Sequence, residues 1–136
     1  MSQSVMPSTN PSNEPQRESP TDRLARTTAS FNLADELENL RAEPAWQAGD
    51  RNARTLSKKP HLRVVLMALK SGARLDKHEA PGPITIHALA GRLRVRLASE
   101  TVELATGEIL TVDGGLTHDL EALEEGAILL TVAGAH

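Results

Sequence analysis

Histidine is the residue type whose placement in this chain most clearly suggests chemistry. Of the 136 residues, five are histidine and none is cysteine. His78 precedes a rigid run that contains Pro81, Gly82 and Pro83, and His118 follows a turn that contains two glycines. Because imidazole binds transition metals and exchanges protons near neutral pH, His78 and His118 are the candidate site residues. The lack of cysteine excludes a thiolate metal site, a disulfide framework and a thiol nucleophile.

The segments around both histidines alternate between apolar and other residues, which indicates β-strands. Residues 84–89 alternate after His78, and residues 93–98 alternate again after Gly91. Turn residues separate the strands at close, regular spacing, as in an antiparallel barrel or jelly roll. The remaining predicted strands are residues 54–57, 62–69, 101–104, 109–112, 118–123 and 127–132.

The order of glycines, strands and histidines from Leu62 to Val132 resembles the two sequence motifs of the cupin superfamily. In the first motif, Ala80 stands in place of a second histidine, and Ile84 or Thr85 stands in place of a glutamate. The residues that match this motif are Gly72, His78 and Gly91.

The second cupin motif is matched more closely. Gly107, Gly115 and His118 fall in place, while Asp113 stands for the motif's proline and Ala122 for its asparagine. The resemblance implies an all-β fold, a cupin-type antiparallel β-barrel (jelly roll) preceded by a short N-terminal helix.

The resemblance also implies a site for one divalent transition metal, namely Fe, Mn, Ni or Zn, with His78 and His118 as ligands. A third ligand must come from outside the motifs, and His87 is the spare histidine of the sheet. If Ile84 takes the place of the motif's glutamate, alternation puts His87 on the opposite face of its strand. If Thr85 takes that place, His87 shares its face and reaches the metal, which requires a bulge. His78, His118 and His87 are therefore the predicted metal ligands.

Two functions of different classes follow from the resemblance. The first is a small single-domain cupin that binds a small molecule, and a divalent metal with it, inside the barrel, with no catalytic activity assigned. The alternative is a metal-dependent cupin enzyme, an oxygenase, isomerase or lyase that acts on a small organic substrate. The missing glutamate and second histidine favour the first, because two ligands hold a metal loosely. No catalytic residue is predicted.

Composition divides the chain into three parts. Residues 1–30 carry Ser, Thr, Pro, Asn and charge with few large apolar side chains, and are predicted to be a disordered tail. Residues 31–50 are predicted to hold an amphipathic helix with a leucine stripe (Leu33, Leu37 and Leu40), then a connecting loop. Residues 51–136 are predicted to form the cupin β-barrel.

The strand at residues 62–69 is apolar on both faces, so both faces need cover. One face looks into the barrel, and the other must meet a helix or a second subunit. This pattern is the sequence argument for a homodimer.

The charge of the chain argues against some classes of binding partner. The net charge is −3, and the one concentrated basic stripe (Arg92, Arg94 and Arg96) has no aromatic residue beside it. We therefore expect no nucleic-acid partner and interpret the stripe as the solvated face of a strand. No apolar run approaches the ~20 residues of a membrane span, so no membrane partner is expected. A cytoplasmic location and a small-molecule ligand are the remaining expectations.

Overall fold

The computed structural model describes residues 27–134 of the chain. It begins with helix α1 (Leu33–Ala42), whose N-terminus is capped by Asn32. The side-chain oxygen of Asn32 accepts a hydrogen bond from the amide of Asp35 at 3.1 Å, which satisfies one of the free amides of the first turn. Pro44 opens a second, shorter helix, α2 (Pro44–Ala48), and the predicted loop there is thus partly helical. Residues 1–26 of the predicted tail lie outside the described residues.

The described residues after α2 form two antiparallel sheets. The strands are β1 (Arg51–Lys59), β2 (Leu62–Leu69), β3 (Arg74–His78), β4 (Ile84–Ala90), β5 (Leu93–Leu97), β6 (Thr101–Leu104), β7 (Ile109–Val112), β8 (His118–Ala122) and β9 (Gly126–Ala133). The large sheet has the order β1-β2-β9-β4-β7, and the small sheet has the order β3-β8-β5-β6. The predicted all-β barrel with a short N-terminal helix is confirmed, although β1 is longer than the predicted residues 54–57.

The apolar core lies between the inward faces of the two sheets. Ile84, Ile86 and Ala88 alternate inward along β4, and Leu93 and Val95 do so along β5. All five are buried. At one end of the barrel β3 ends, β4 begins and β8 begins. We call this end the rim.

Helix α1 covers part of the outer face of the large sheet. Leu40 is fully buried and packs with Leu56 of β1 and Leu66 of β2 in a second apolar cluster. The outward face of β2 therefore meets a helix. A helix was one of the two alternatives that the apolar pattern of this strand left open, the other being a second subunit. The pattern consequently no longer argues for a second subunit, and the homodimer stays a prediction.

The basic stripe, which begins at Arg92 just before β5 and continues along that strand, is paired with carboxylates. Arg92 and Arg94 each donate to Glu103 at 3.0 Å, while Arg96 donates to Asp119 at 3.2 Å and to Glu121 at 3.0 Å. These contacts lie on the outer face of the small sheet, because Leu93 and Val95 fill the inner one. Among residues 27–134, no helix is long and apolar enough to cross a lipid bilayer.

Candidate functional site

His78 and His118 are direct neighbours across β3 and β8. The register pairs Leu75 with Leu120 and then His78 with His118, so β3 carries one more residue than β8 between the two pairs. This extra residue is a β-bulge, and without it strict alternation from Leu75 would turn Lys77 inward and His78 outward. The two imidazole centroids lie 4.4 Å apart, with the ring planes at 61°. The bulge thus brings both predicted histidines to one point at the rim.

Both imidazoles use the same nitrogen to bond the backbone. Nδ1 of His78 lies 3.3 Å from the carbonyl oxygen of Asp76, and Nδ1 of His118 lies 3.2 Å from that of Leu116. A carbonyl oxygen only accepts hydrogen bonds, so each Nδ1 carries the proton and donates it. In the neutral ring this leaves a lone pair on Nε2, the arrangement that metal-binding and hydrogen-bond-accepting histidines use. The pair therefore offers two Nε2 lone pairs on neighbouring rings.

Burial keeps one member of the pair uncharged. The residue His118 is 4% exposed, whereas His78 is exposed. Burial lowers the pKa of His118 below its ordinary value of 6.5, and the positive charge that His78 can carry lowers it further. The hydrogen bond to Leu116 and the nearby Asp119 carboxylate oppose this, but the net direction is downward. His118 is therefore a neutral acceptor at neutral pH.

A small cavity lies behind the pair, inside the barrel. Its volume is about 20 Å³, enough for about one water molecule. Besides the two histidines, its walls are aliphatic: Leu75, Ile86, Leu120, Ile128 and Leu130. A ligand of more than a few atoms must therefore remain mostly at the rim.

A larger depression of about 280 Å³ borders His118 at the rim, close to the lower end of the ~300–1,000 Å³ range of small-molecule sites. Lys77 and Arg96 line it together with Asp119. The guanidinium of Arg96 is already bonded to carboxylates, while no ion pair within residues 27–134 includes Lys77. The side chain of Lys77 is thus available to an anionic group.

Two glycines let the rim loops approach closely. A Cβ on Gly114 would lie 2.6 Å from the carbonyl oxygen of Pro81, and one on Gly82 would lie 2.2 Å from that of Ala133. Both contacts are with backbone atoms, which cannot move aside as a side chain can. The loop after His78 therefore packs against the turn before β8, and only glycine fits at the crossing.

The other predicted site residue does not join the pair. His87 lies on β4 between Ile86 and Ala88, which face the core, so its side chain is on the outer face of the large sheet. Thr85 and His87 do share a face, but it faces away from the barrel interior, and β4 has no bulge between Ile84 and Ala88. His61 lies in the turn between β1 and β2, and His136 lies outside the described residues.

The donors present at the rim fit a resident metal only in part. Two imidazoles supply suitable nitrogen ligands, but tightly held first-row metals take three or four protein donors. Within residues 27–134, no group of three or more His, Asp or Glu side chains could hold a metal ion. The pair alone is therefore not a closed metal centre, and no chemical step is assigned to a metal here.

The bulge is the feature that the sequence prediction missed. Leu75 packs against the core and His78 lines the cavity, yet the two residues are three apart and cannot share a face of a regular strand. That conflict in spacing is the signal that could have predicted the bulge.

Comparisons by sequence find no relative: no family model matches the chain, and no curated protein matches it. Solved structures do resemble it. A conserved protein of unknown function from Streptococcus pyogenes has a TM-score of 0.66 at 23% identity, over 83% of this chain and 93% of that one. A cupin superfamily protein from Desulfitobacterium hafniense has a TM-score of 0.65 at 13% identity, over 82% of this chain and 94% of that one.

The barrel also resembles a cupin 2 conserved barrel domain protein from Leptotrichia buccalis. The TM-score is 0.65 at 27% identity, over 76% of this chain and 47% of that one, so this chain spans about half of that protein. The predicted cupin-type fold is thereby confirmed. The likeness concerns the fold, and function has to be argued from the site.

Proposed function

We propose that this cupin-type barrel binds a small molecule at the rim, with His78 and His118 as its polar recognition centre and no catalytic role assigned. The observation that carries the proposal is the pairing of the two imidazoles with both Nε2 atoms left as acceptors. A ligand hydroxyl or N–H group can donate to these lone pairs. The aliphatic cavity behind them accepts a small apolar group, and the remainder of the ligand stays at the rim.

The free nitrogen of His118 supports a binding role over an incidental one. Nδ1 of His118 is satisfied by Leu116, whereas Nε2 has no hydrogen bond to any residue in the described range and is not among its buried side-chain atoms without a partner. A ligand that donates to Nε2 can therefore take the place of solvent at this atom.

A metal-dependent enzyme is the second candidate, and one observation favours it. The shared Nδ1–H tautomer leaves on each ring the nitrogen that a metal needs. The ion would have to take its remaining ligands from the substrate or solvent. A bound ion would supply Lewis acidity, while the two histidines would hold it and orient the substrate beside it.

Thermal melts with a library of small metabolites test the proposal. Compounds that raise the melting temperature of the wild type are measured again with His78→Gln, His118→Gln and His87→Gln. Glutamine keeps a polar side chain at each position, and His87→Gln is the matched control because His87 faces away from the barrel interior.

We expect the stabilisation to fall in His78→Gln and His118→Gln and to persist in His87→Gln. The rim would be refuted as the binding site if every stabilising compound raised the melting temperature of all three variants equally. Activity assays on the compounds that bind then distinguish a binding protein from an enzyme.

A further inference from the structure

Arg63 is an arginine on the inward face of the barrel. The register between β2 and β9 is unbroken from Leu62 to Leu69, so Arg63 faces the same side as Met67 and Leu69, which belong to the core. Its partner on β9 is Val132, also a core residue. An arginine side chain therefore starts from the inner surface of a barrel that is otherwise aliphatic along this strand.

The guanidinium of Arg63 has an unsatisfied buried donor. Its Nε is buried and has no hydrogen-bond partner, and no ion pair within residues 27–134 includes this side chain. Arg41 also has a buried Nε without a partner, but its guanidinium donates to the carbonyl of Gly126 at 3.3 Å and lies over the ring of Trp46. Arg63 has no such compensation among the described residues.

Arg63 is half-buried, and its buried Nε without a partner requires a reason. Arginine stays protonated in proteins, so it cannot relieve burial by losing its charge. Its planar fork of N–H donors matches the two oxygens of a carboxylate, and such charge-assisted pairs are stronger than neutral hydrogen bonds. The missing partner is thus an anion with in-plane oxygens.

Arg63 lies at the same end of the barrel as the histidine pair. It shares one cross-strand row of the large sheet with Val132 and Ile84. Ile84 opens β4, and only residues 79–83 separate it from His78 at the end of β3. The next inward row, about 7 Å along the strands, contains Leu130 and Ile86, which line the cavity together with both histidines.

We infer that Arg63 and the histidine pair together form a site for a small hydroxy- or amino-carboxylic acid. This inference rests on the proposed function and names its ligand class. The carboxylate pairs with the guanidinium of Arg63, and the hydroxyl or amino group donates to an Nε2 of His78 or His118. The aliphatic cavity limits the ligand to a short carbon chain, because it holds about one water molecule.

NMR of the full chain tests the inference with a panel of two- to six-carbon hydroxy- and amino-carboxylic acids. Each acid is measured beside its primary amide, and inorganic phosphate is measured alone. The readouts are the Nε–Hε signal of Arg63 and the imidazole signals of His78 and His118. The variants are Arg63→Gln, Arg63→Lys and the control Arg74→Gln, since the Arg74 side chain is 57% exposed.

We expect at least one acid to shift both Arg63 and the histidines, while its amide binds roughly tenfold or more weakly, as the loss of a charged hydrogen bond predicts. Arg63→Gln should abolish the preference for the acid, Arg63→Lys should keep part of it, and Arg74→Gln should keep all of it. If Arg63→Gln does not fold, Arg63→Lys and the acid–amide comparison on the wild type decide the question.

Three other outcomes overturn the inference in distinguishable ways. If acids and amides shift the histidines equally, the proposed function stands and the role of Arg63 is wrong. If acids or phosphate shift Arg63 without the histidines, the anion site is separate from the pair and this inference fails, while the proposed function is decided by the wider library of melts. If no compound shifts any of these signals, the carboxylate class is excluded, and the proposed function then depends on the wider library of melts.

Discussion

The exposed ring of His78 lies edge-on to the buried ring of His118, with 4.4 Å between their centroids. The two residues are forty positions apart in sequence and become neighbours because their strands pair antiparallel with one bulge. A two-histidine centre whose inner member is shielded from water follows from this relationship. Its electrostatics and its capacity to hold a metal lead to the first two predictions.

Stability should rise with pH in the range where His118 titrates. Its pKa is near 6.5 in the unfolded chain and is lowered in the folded protein, chiefly by burial. Between these two values the unfolded chain binds more protons, so the stabilisation is complete above 6.5 and is lost as pH falls towards the folded value. Urea unfolding from about pH 8 to about pH 5 measures the slope.

His118→Gln should remove this part of the slope, and His87→Gln should keep it. A wild-type stability that does not change across the window, or a slope that survives in His118→Gln, would contradict the burial of a neutral imidazole at this position.

Metal should bind weakly and reversibly. After chelator treatment, salts of Mn, Fe, Ni or Zn should raise the melting temperature only when in excess, because two imidazoles fall short of the three or four protein donors of a closed site. Free metal at a hundredfold excess over its dissociation constant would raise the free energy of unfolding by about 2.7 kcal/mol. The rise should vanish in His78→Ala and His118→Ala and remain in His87→Ala. Stoichiometric metal in untagged protein that resists chelator would show a further ligand and restore the enzyme as the better candidate.

Helix α1 should be part of the cooperative folded unit. Leu40→Ala should destabilise the protein by about 2–5 kcal/mol, as large-to-small substitutions in packed cores do, because Leu40 packs with Leu56 and Leu66. Glu38→Ala is the matched control on the same helix, since Glu38 is exposed and its loss should change stability by about 0.5 kcal/mol or less. Equal effects of the two substitutions in urea unfolding would show that the helix does not hold the sheet.

We still predict a homodimer, but through a different surface from strand β2, on which the sequence argument had placed it. Val65 and Met67 face inward, so charging either would disrupt the core and would not test an interface. Ile109 is 56% exposed on the edge strand β7, whereas the partly exposed Leu62 lies three strands away on β2. Light scattering should give a mass near twice the 14.6 kDa of one chain, reduced in Ile109→Lys but not in Leu62→Lys. A monomeric wild type at micromolar concentration would contradict this.

The sequence predicted the architecture because period-two alternation and turn residues specify antiparallel strands locally. Alternation from Ile84 was the one of two alternatives that put His87 on the face away from the core, and the structure has it there, whereas the predicted set of metal ligands had included His87. The spacing of Leu75 and His78 indicates a bulge only if both side chains are taken to face inward, and alternation alone does not say that they do, because their facing depends on the pairing with β8. The inward position of Arg63 is readable from alternation, but its lack of a partner depends on the whole surrounding fold. Likewise, the helix that covers Leu66 could not be told from a second subunit by pattern alone.

The central claim is that His78 and His118 present paired Nε2 acceptors to a ligand, and long-range proton–nitrogen NMR of the imidazoles tests it most directly. The spectrum of the free protein should show both rings protonated on Nδ1 and bare on Nε2. A compound that stabilises the protein should then shift the Nε2 signals of both residues and leave His87 unchanged. Protons on Nε2 in the free protein, or a stabilising compound that leaves both Nε2 signals in place, would contradict the claim.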